Sequence, residues 1–209
     1  MQDKKLQFSN TLMRFAPEPF VSYLTELILK SKAKFKIVPG RATKLGDFRI
    51  SSSEEKPVIT VNGNLNKYSF LITSLHELAH LNTFRNYGNS VPPHGNEWKN
   101  AFRDLLEPVL MSKLLPEDIE KALWKTFSNT KASSCSDLNL SRTLKKYDSA
   151  NDSLSLEEIP VNAQFSLNGK VFEKGLLRRS RYLCKELKSG KQFLVHALAT
   201  VQLIKPYNE

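Results

Sequence analysis

The sequence predicts an α+β protein in two parts. Helices around a small sheet occupy residues 1–147, a linker spans 148–158, and a small basic β-rich domain covers 159–209. Three observations predict this. From Lys67 to Tyr87, Tyr68, Leu71, Ile72, Leu75, Leu78 and Ala79 recur at steps of three and four, the period of a helix with one apolar face. Upstream, Phe35–Val38, Leu45–Ile50 and Val58–Asn62 are short β-prone runs, the last two separated by the polar stretch Ser51 to Pro57. Beyond residue 159 the helical period disappears, and Asn168-Gly169 between two β-prone runs is a strong hairpin signal.

The elements follow in order. Met1-Gln2-Asp3-Lys4-Lys5 opens a mixed polar segment without the apolar core of a signal peptide. A first helix runs from about Pro19 to Lys30, with Phe20, Leu24, Leu27 and Ile28 on its apolar side. Lys30, Lys32, Lys34 and Lys36 alternate with smaller or apolar residues, so a strand there would carry lysines along one face. Asn66 or Asn64 caps the long helix from Lys67, and Gly88 stops it after Tyr87. Trp98, Phe102, Leu105, Leu106 and Val109 give the next helix its stripe, and Ile119, Leu123 and Phe127 give one to the helix starting at Leu115-Pro116. A short helix over Asp137 to Tyr147 follows, and the Ser/Asp/Asn-rich run from Asp148 to Ser155 reads as linker. The hairpin Ala163–Leu167 and Lys170–Glu173 is followed by strand-like runs at Ser180–Leu187 and Gln192–Ile204.

Composition bounds the class. An apolar fraction of 40% and an aromatic fraction of 10% suit a packed core rather than disorder. No run approaches the ~20 apolar residues of a membrane span, so no membrane partner is expected. Cys135 and Cys184 lie far apart and outside any ligand-spaced pair, which suits free thiols in a reducing cytoplasm. A formal charge of +10 favours a polyanion, and Arg178, Arg179 and Arg181 cluster near the C-terminus, so DNA is a candidate partner.

Three of the four histidines fall within nineteen residues. His76-Glu77-Leu78-Ala79-His80 places two imidazoles one turn apart on the same face of the long helix, where both can grip one zinc ion. Glu77 lies roughly 100° round the helix, placed to reach a water on the metal rather than the metal itself. That is the parts list of a zinc peptidase. Thr83 and Asn86 occupy the positions where the metzincin pattern requires glycine and histidine, which removes that subclass. Glu97 and Glu107 are acidic candidates for the third ligand; His94 is preferred, a neutral nitrogen at a loop-to-helix junction stiffened by Pro92-Pro93. Glu97 is then a group supporting a ligand imidazole or a first-turn acid favoured by the helix dipole. Tyr87 and Arg85 are nearby donors that could serve a developing oxyanion. His196, within a β-prone run, reads as structural.

His76-Glu77-Leu78-Ala79-His80 followed by His94-Gly95-x-x-Trp98-Lys99 resembles the SprT-like domain, whose Spartan members are DNA-dependent zinc proteases acting on DNA–protein crosslinks. Upstream, Pro17, Gly40 to Gly46 and Ile59-x-Val61-Asn62-x-x-Leu65 are similar to that family's approach to the motif, so the likeness covers residues 15–110. The resemblance implies a minimal zincin-like domain, with the motif helix packed on a small sheet, and zinc held by His76, His80 and His94. It implies Glu77 as the catalytic base and protein substrates, with DNA-bound proteins among them. Many members carry a C-terminal zinc ribbon with paired Cys-x-x-Cys motifs; this chain has none, so one zinc per chain is expected. The pattern, including Lys131 to Asp137, looks like short bacterial members.

The expected reaction is metal-assisted peptide hydrolysis, with Glu77 taking a proton from the attacking water and returning it to the leaving amine. The rival expectation is a non-catalytic zinc-containing protein that binds nucleic acid or the transcription machinery.

Overall fold

The structure is a computed structural model, and it describes residues 2–41, 43–50, 56–128, 137–148 and 154–205. The chain divides into two compact units, Met1–Ser149 and Ala150–Glu209, and both α and β elements are present.

The first unit opens with α1 (Gln2–Leu12), a helix where the sequence suggests only a polar segment. Its order comes from Leu12, which is fully buried, and Phe8, which meets Phe35 edge-on at 6.3 Å. A 3₁₀ turn at Glu18–Phe20 leads into α2 (Val21–Ser31). Lys32 closes α2 in the left-handed conformation, φ 51°. The expected lysine face therefore does not form. Lys30 belongs to the last turn of α2 and Lys32 to its cap, so only Lys34 and Lys36 lie in β1 (Lys34–Val38).

β2 (Gly46–Arg49) and β3 (Val58–Asn62) complete a three-stranded sheet in the order β1-β3-β2. β3 is central and buried along its whole length, parallel to β1 and antiparallel to β2. Both outer strands are edges.

α3 runs from Lys67 to Tyr87, the span read from the sequence. Asn66 caps it by accepting from the Ser69 N–H at 2.9 Å, and Gly88 ends it at φ 59°, a conformation open to glycine. The single apolar face anticipated for this helix is wider in fact: Phe70 to Ala79 are buried without a break. The helix is enclosed by α2, β2, β3 and α4 (Asn96–Met111). α5 (Glu117–Ser128) and α6 (Leu138–Lys145) pack on one another, and the Asp137 side chain caps α6. Asn66 also donates to Leu144 O at 2.9 Å and to Asp148 at 2.6 Å, tying the end of α6 to the start of α3.

The second unit is a six-stranded antiparallel sheet in the order β4-β9-β5-β6-β7-β8. β4 is Leu154–Ser155, and a 3₁₀ turn at Leu156–Glu158 follows; the sequence reading assigns these residues to the linker. They are drawn into the sheet because Leu156 and Ile159, apolar residues within an acidic and Ser-rich stretch, are buried in the core with Phe165 and Phe172. The expected hairpin is present as β5 (Gln164–Leu167) and β6 (Lys170–Arg178), in register across Asn168-Gly169. β7 (Arg181–Glu186) follows. The run from Gln192 to Ile204 is two strands, β8 (Gln192–His196) and β9 (Thr200–Lys205). A turn separates them, in which His196 Nδ1 accepts the Leu198 N–H at 3.2 Å, a structural role for this histidine. Lys174 is buried here and satisfied: its ammonium donates to the Ile159 and Glu157 carbonyls and lies 3.9 Å above the Tyr182 ring. No helix among the described residues is long and apolar enough to cross a membrane.

Asn66→Ala removes the α3 cap and both ties to the α6 end. It should cost about 1–2 kcal/mol in a denaturant titration, with the secondary-structure signal otherwise preserved.

Candidate metal centre

α3 brings His76 and His80 to one side of the helix, one turn apart, because its phase is set by the Asn66 cap and the Gly88 stop. His94 arrives from the loop before α4 with φ 61°, a left-handed backbone uncommon for a residue with a side chain. That conformation belongs to a turn closed by Gly95 N–H donating to Pro92 O at 3.0 Å, with Pro92-Pro93 leading in. Gly95 then serves as the N-cap residue of α4.

The three imidazoles converge. Nε2 of His76 lies 3.1 Å from Nε2 of His80 and 3.1 Å from Nε2 of His94. One nitrogen from each ring lies within 4.8 Å of the others, close enough for a single metal ion to bridge all three. Among the described residues no Cys, Asp or Glu joins this group, so Glu97 and Glu107 are not part of it. Burial, reinforced by the charge each ring would present to the others, lowers the pKa of His76 to about 2 and that of His80 to about 4. Burial lowers His94 as well. Neutral imidazole is the form that donates a lone pair to a metal.

Aromatic walls hold the rings. Trp98, on α4, is buried and sits 4.6 Å from the His76 and His94 rings and 5.4 Å from His80, centre to centre. Phe102 stacks on Trp98 at 5.2 Å and meets the His76 ring edge-on at 6.1 Å. From the sheet, the Phe48 ring lies parallel to His80 at 6.4 Å.

Glu77 points to β2. Its carboxylate is buried and accepts the Phe48 backbone N–H. Burial, with the neighbouring Asp47 charge, raises its pKa to about 7, against the opposing pull of that N–H and of Arg41 and Lys44. Gly46 is required by this approach: a Cβ there would fall 2.6 Å from Glu77 Oε1 and 2.7 Å from the Thr73 methyl. The loop leading into β2 is pinned by Asn62, which accepts from Arg41 Nε at 2.8 Å and donates to the Lys44 carbonyl at 2.8 Å. Lys44 is paired with Asp47 at 2.8 Å.

Of the four residues singled out in the sequence, His76, His80 and His94 come together, and Glu77 follows His76 on α3 with its carboxylate turned to β2. Of the two proposed oxyanion donors, Arg85 is bonded to the Ser31 carbonyl at the end of α2, and Tyr87 is exposed at the end of α3. What sequence reasoning missed is the β2 contribution of Gly46, Asp47 and Phe48. A glycine inside a β-prone run is a signal of close backbone approach, and Gly46 carried it. Cys135 and the stretch 131–136 used in the family comparison lie outside the described residues, and Cys184 is a buried free thiol.

Comparison of the chain with protein-family models, with curated proteins and with solved structures finds no match.

Gly46→Ala should push β2 off α3 at Glu77. The expected cost is about 1–3 kcal/mol of stability, read by thermal melting, with metal binding retained because the atoms nearest the new methyl belong to Glu77 and Thr73.

Proposed function

We propose that the chain is a zinc-dependent metallopeptidase with a minimal zincin-like, SprT-like first unit. The observation that carries this is the convergence of three histidine Nε2 atoms beside a buried glutamate, with no fourth protein ligand among the described residues. The donor set fits zinc. Four ligands at about 2.0–2.1 Å from a tetrahedral zinc lie roughly 3.3 Å apart, close to the 3.1 Å that separates His76 Nε2 from each of the other two. Three nitrogen ligands leave one coordination position open, as catalytic sites do and structural sites do not.

Zinc bound there would act as a Lewis acid on the scissile carbonyl and lower the pKa of water at the open position. The protein's own residues do the rest. Glu77, with a pKa near neutrality, takes the proton of the attacking water and delivers it to the departing amine. The Phe48 N–H and the absence of a side chain at Gly46 keep that carboxylate in place. Trp98, Phe102 and Phe48 hold the imidazoles and exclude water from their flanks. β2, the sheet edge carrying Phe48, is the strand on which an extended substrate would be laid by main-chain hydrogen bonds, giving sequence-tolerant binding.

The charge of +10 supports substrates held on DNA, through counterion release and steering. The same charge is what favours the second reading, a zinc-containing nucleic-acid-binding protein without catalysis. Glu77→Gln separates the two. The substituted protein should still bind about one zinc per chain while cleavage of a basic protein substrate, assayed with and without DNA, falls to background. Wild-type protein that binds zinc and DNA but cuts nothing would establish the second reading instead.

A further inference from the structure

β8 is the outer strand of the second unit's sheet, and among the described residues nothing pairs with its far side. The phase of the β7–β8 ladder follows from its two ends. Ala197 N–H donates to Ser180 O at 3.0 Å, and Glu186 N–H donates to Lys191 O at 2.9 Å. Antiparallel pairs alternate between bonded and non-bonded, so Tyr182–Val195 and Cys184–Phe193 are the bonded pairs. The N–H groups of Gln192, Leu194 and His196 and the carbonyls of Gln192 and Leu194 therefore face outward. The His196 carbonyl is taken by the Ala199 N–H.

The side chains beside this edge have a clear chemistry. Residues paired across strands share a face. One row of the outer face is Arg178, Arg181 and His196 across β6, β7 and β8, and the next pairs Leu183 with Leu194. Leu194 is 53% exposed. Arg178 stands directly opposite Arg181, and Arg179 occupies the intervening turn at φ 58°. Like charges so placed repel, and no carboxylate among the described residues forms an ion pair with any of the three. Arg181 instead reaches over the edge, its Nη1 3.4 Å from the Leu194 carbonyl. That long bond blunts an edge that would otherwise invite pairing.

We propose that β8 is a docking edge for an extended acidic segment of another protein, added as a seventh strand. The segment's chemistry is set by the face it joins: an apolar side chain against Leu194 and Leu183, flanked two residues away by a carboxylate that meets Arg181 and Arg178. The carboxylate draws Arg181 off the Leu194 carbonyl, which then accepts a main-chain N–H from the incoming strand. A second copy of this chain offers no such group, because its own edge reads Gln192-Phe193-Leu194-Val195-His196 and carries no acid. At this edge a peptide is favoured over single-stranded nucleic acid, because the exposed face beside the arginines presents leucines rather than aromatic stacking surfaces.

The test uses the full chain with Glu77→Gln, so that a peptide ligand is not cut, and a labelled peptide centred on Glu-Thr-Leu-Thr-Glu, read by fluorescence anisotropy. Binding should be saturable, and the Lys-Thr-Leu-Thr-Lys peptide should not bind. Arg181→Glu should weaken binding about tenfold or more, the scale of losing a charge-assisted contact. Gln192→Pro removes an outward N–H while leaving the β7 ladder intact, and proline is tolerated at the first residue of an edge strand. It should weaken binding to a similar extent with an unchanged thermal melt. Binding that Arg181→Glu abolishes but Gln192→Pro leaves intact would reduce the site to charge attraction and overturn strand addition. Self-association that Gln192→Pro abolishes, without peptide, would make a second copy the occupant. Single-stranded DNA that binds more tightly than the peptide and competes for Arg181 would make nucleic acid the occupant. Either result overturns the proposal.

Discussion

A buried His76 has the Nε2 atoms of two half-buried histidines, His80 and His94, each 3.1 Å from its own, and the first unit is arranged around that fact. Neutral histidines so close compete for too few protons and acceptors, and burial denies His76 water. One cation held among the three would satisfy them together. The arrangement requires that α3 be enclosed on every side, that α4 start where His94 can turn inward, and that aromatic rings replace solvent around the cluster. His94 holds a left-handed backbone to meet this demand, stabilised by the Pro92–Gly95 turn.

β2 sets the surroundings of Glu77 beside this candidate metal cluster. Without it Glu77 would be a solvated acid on a helix surface. With Gly46 against its oxygen, the Phe48 N–H bonded to it and Asp47 nearby, it becomes a buried carboxylate whose pKa is near neutrality. The same strand supplies the ring parallel to His80 and stands at one side of the three-stranded sheet. Asn62, on the central strand β3, bonds to Arg41 and to the Lys44 carbonyl and so ties the approach to β2 to the middle of the sheet.

The second unit solves a different problem. A small antiparallel sheet with nine basic residues between Phe165 and Lys205 must keep its edges from pairing at random. It buries one ammonium, that of Lys174, by giving it two carbonyls and a ring, and gathers its arginines at the β6–β7 hairpin. The outcome is an edge guarded by a side chain rather than by a strand. A carboxylate can displace that side chain, which a neighbouring peptide group alone would do poorly.

Local signals were legible wherever one residue type in one place does the work. Asn66 and Gly88 delimit α3, Asn168-Gly169 sets the hairpin, and the spacing of His76, Glu77 and His80 places three functional groups before any tertiary contact is considered. These depend on backbone geometry over a few residues, which sequence determines directly. Other features depended on burial among distant residues. Leu156 and Ile159 pull an apparent linker into a sheet, Leu12 and Phe8 order a helix from a polar stretch, and Lys32 turns a lysine alternation into a helix cap. The sequence by itself determined the helix, its histidine pair and the nearby third imidazole. Only the tertiary structure decided which strand faces Glu77 and which edges stay open, because strand order and the depth of a carboxylate arise from packing between segments far apart in the chain.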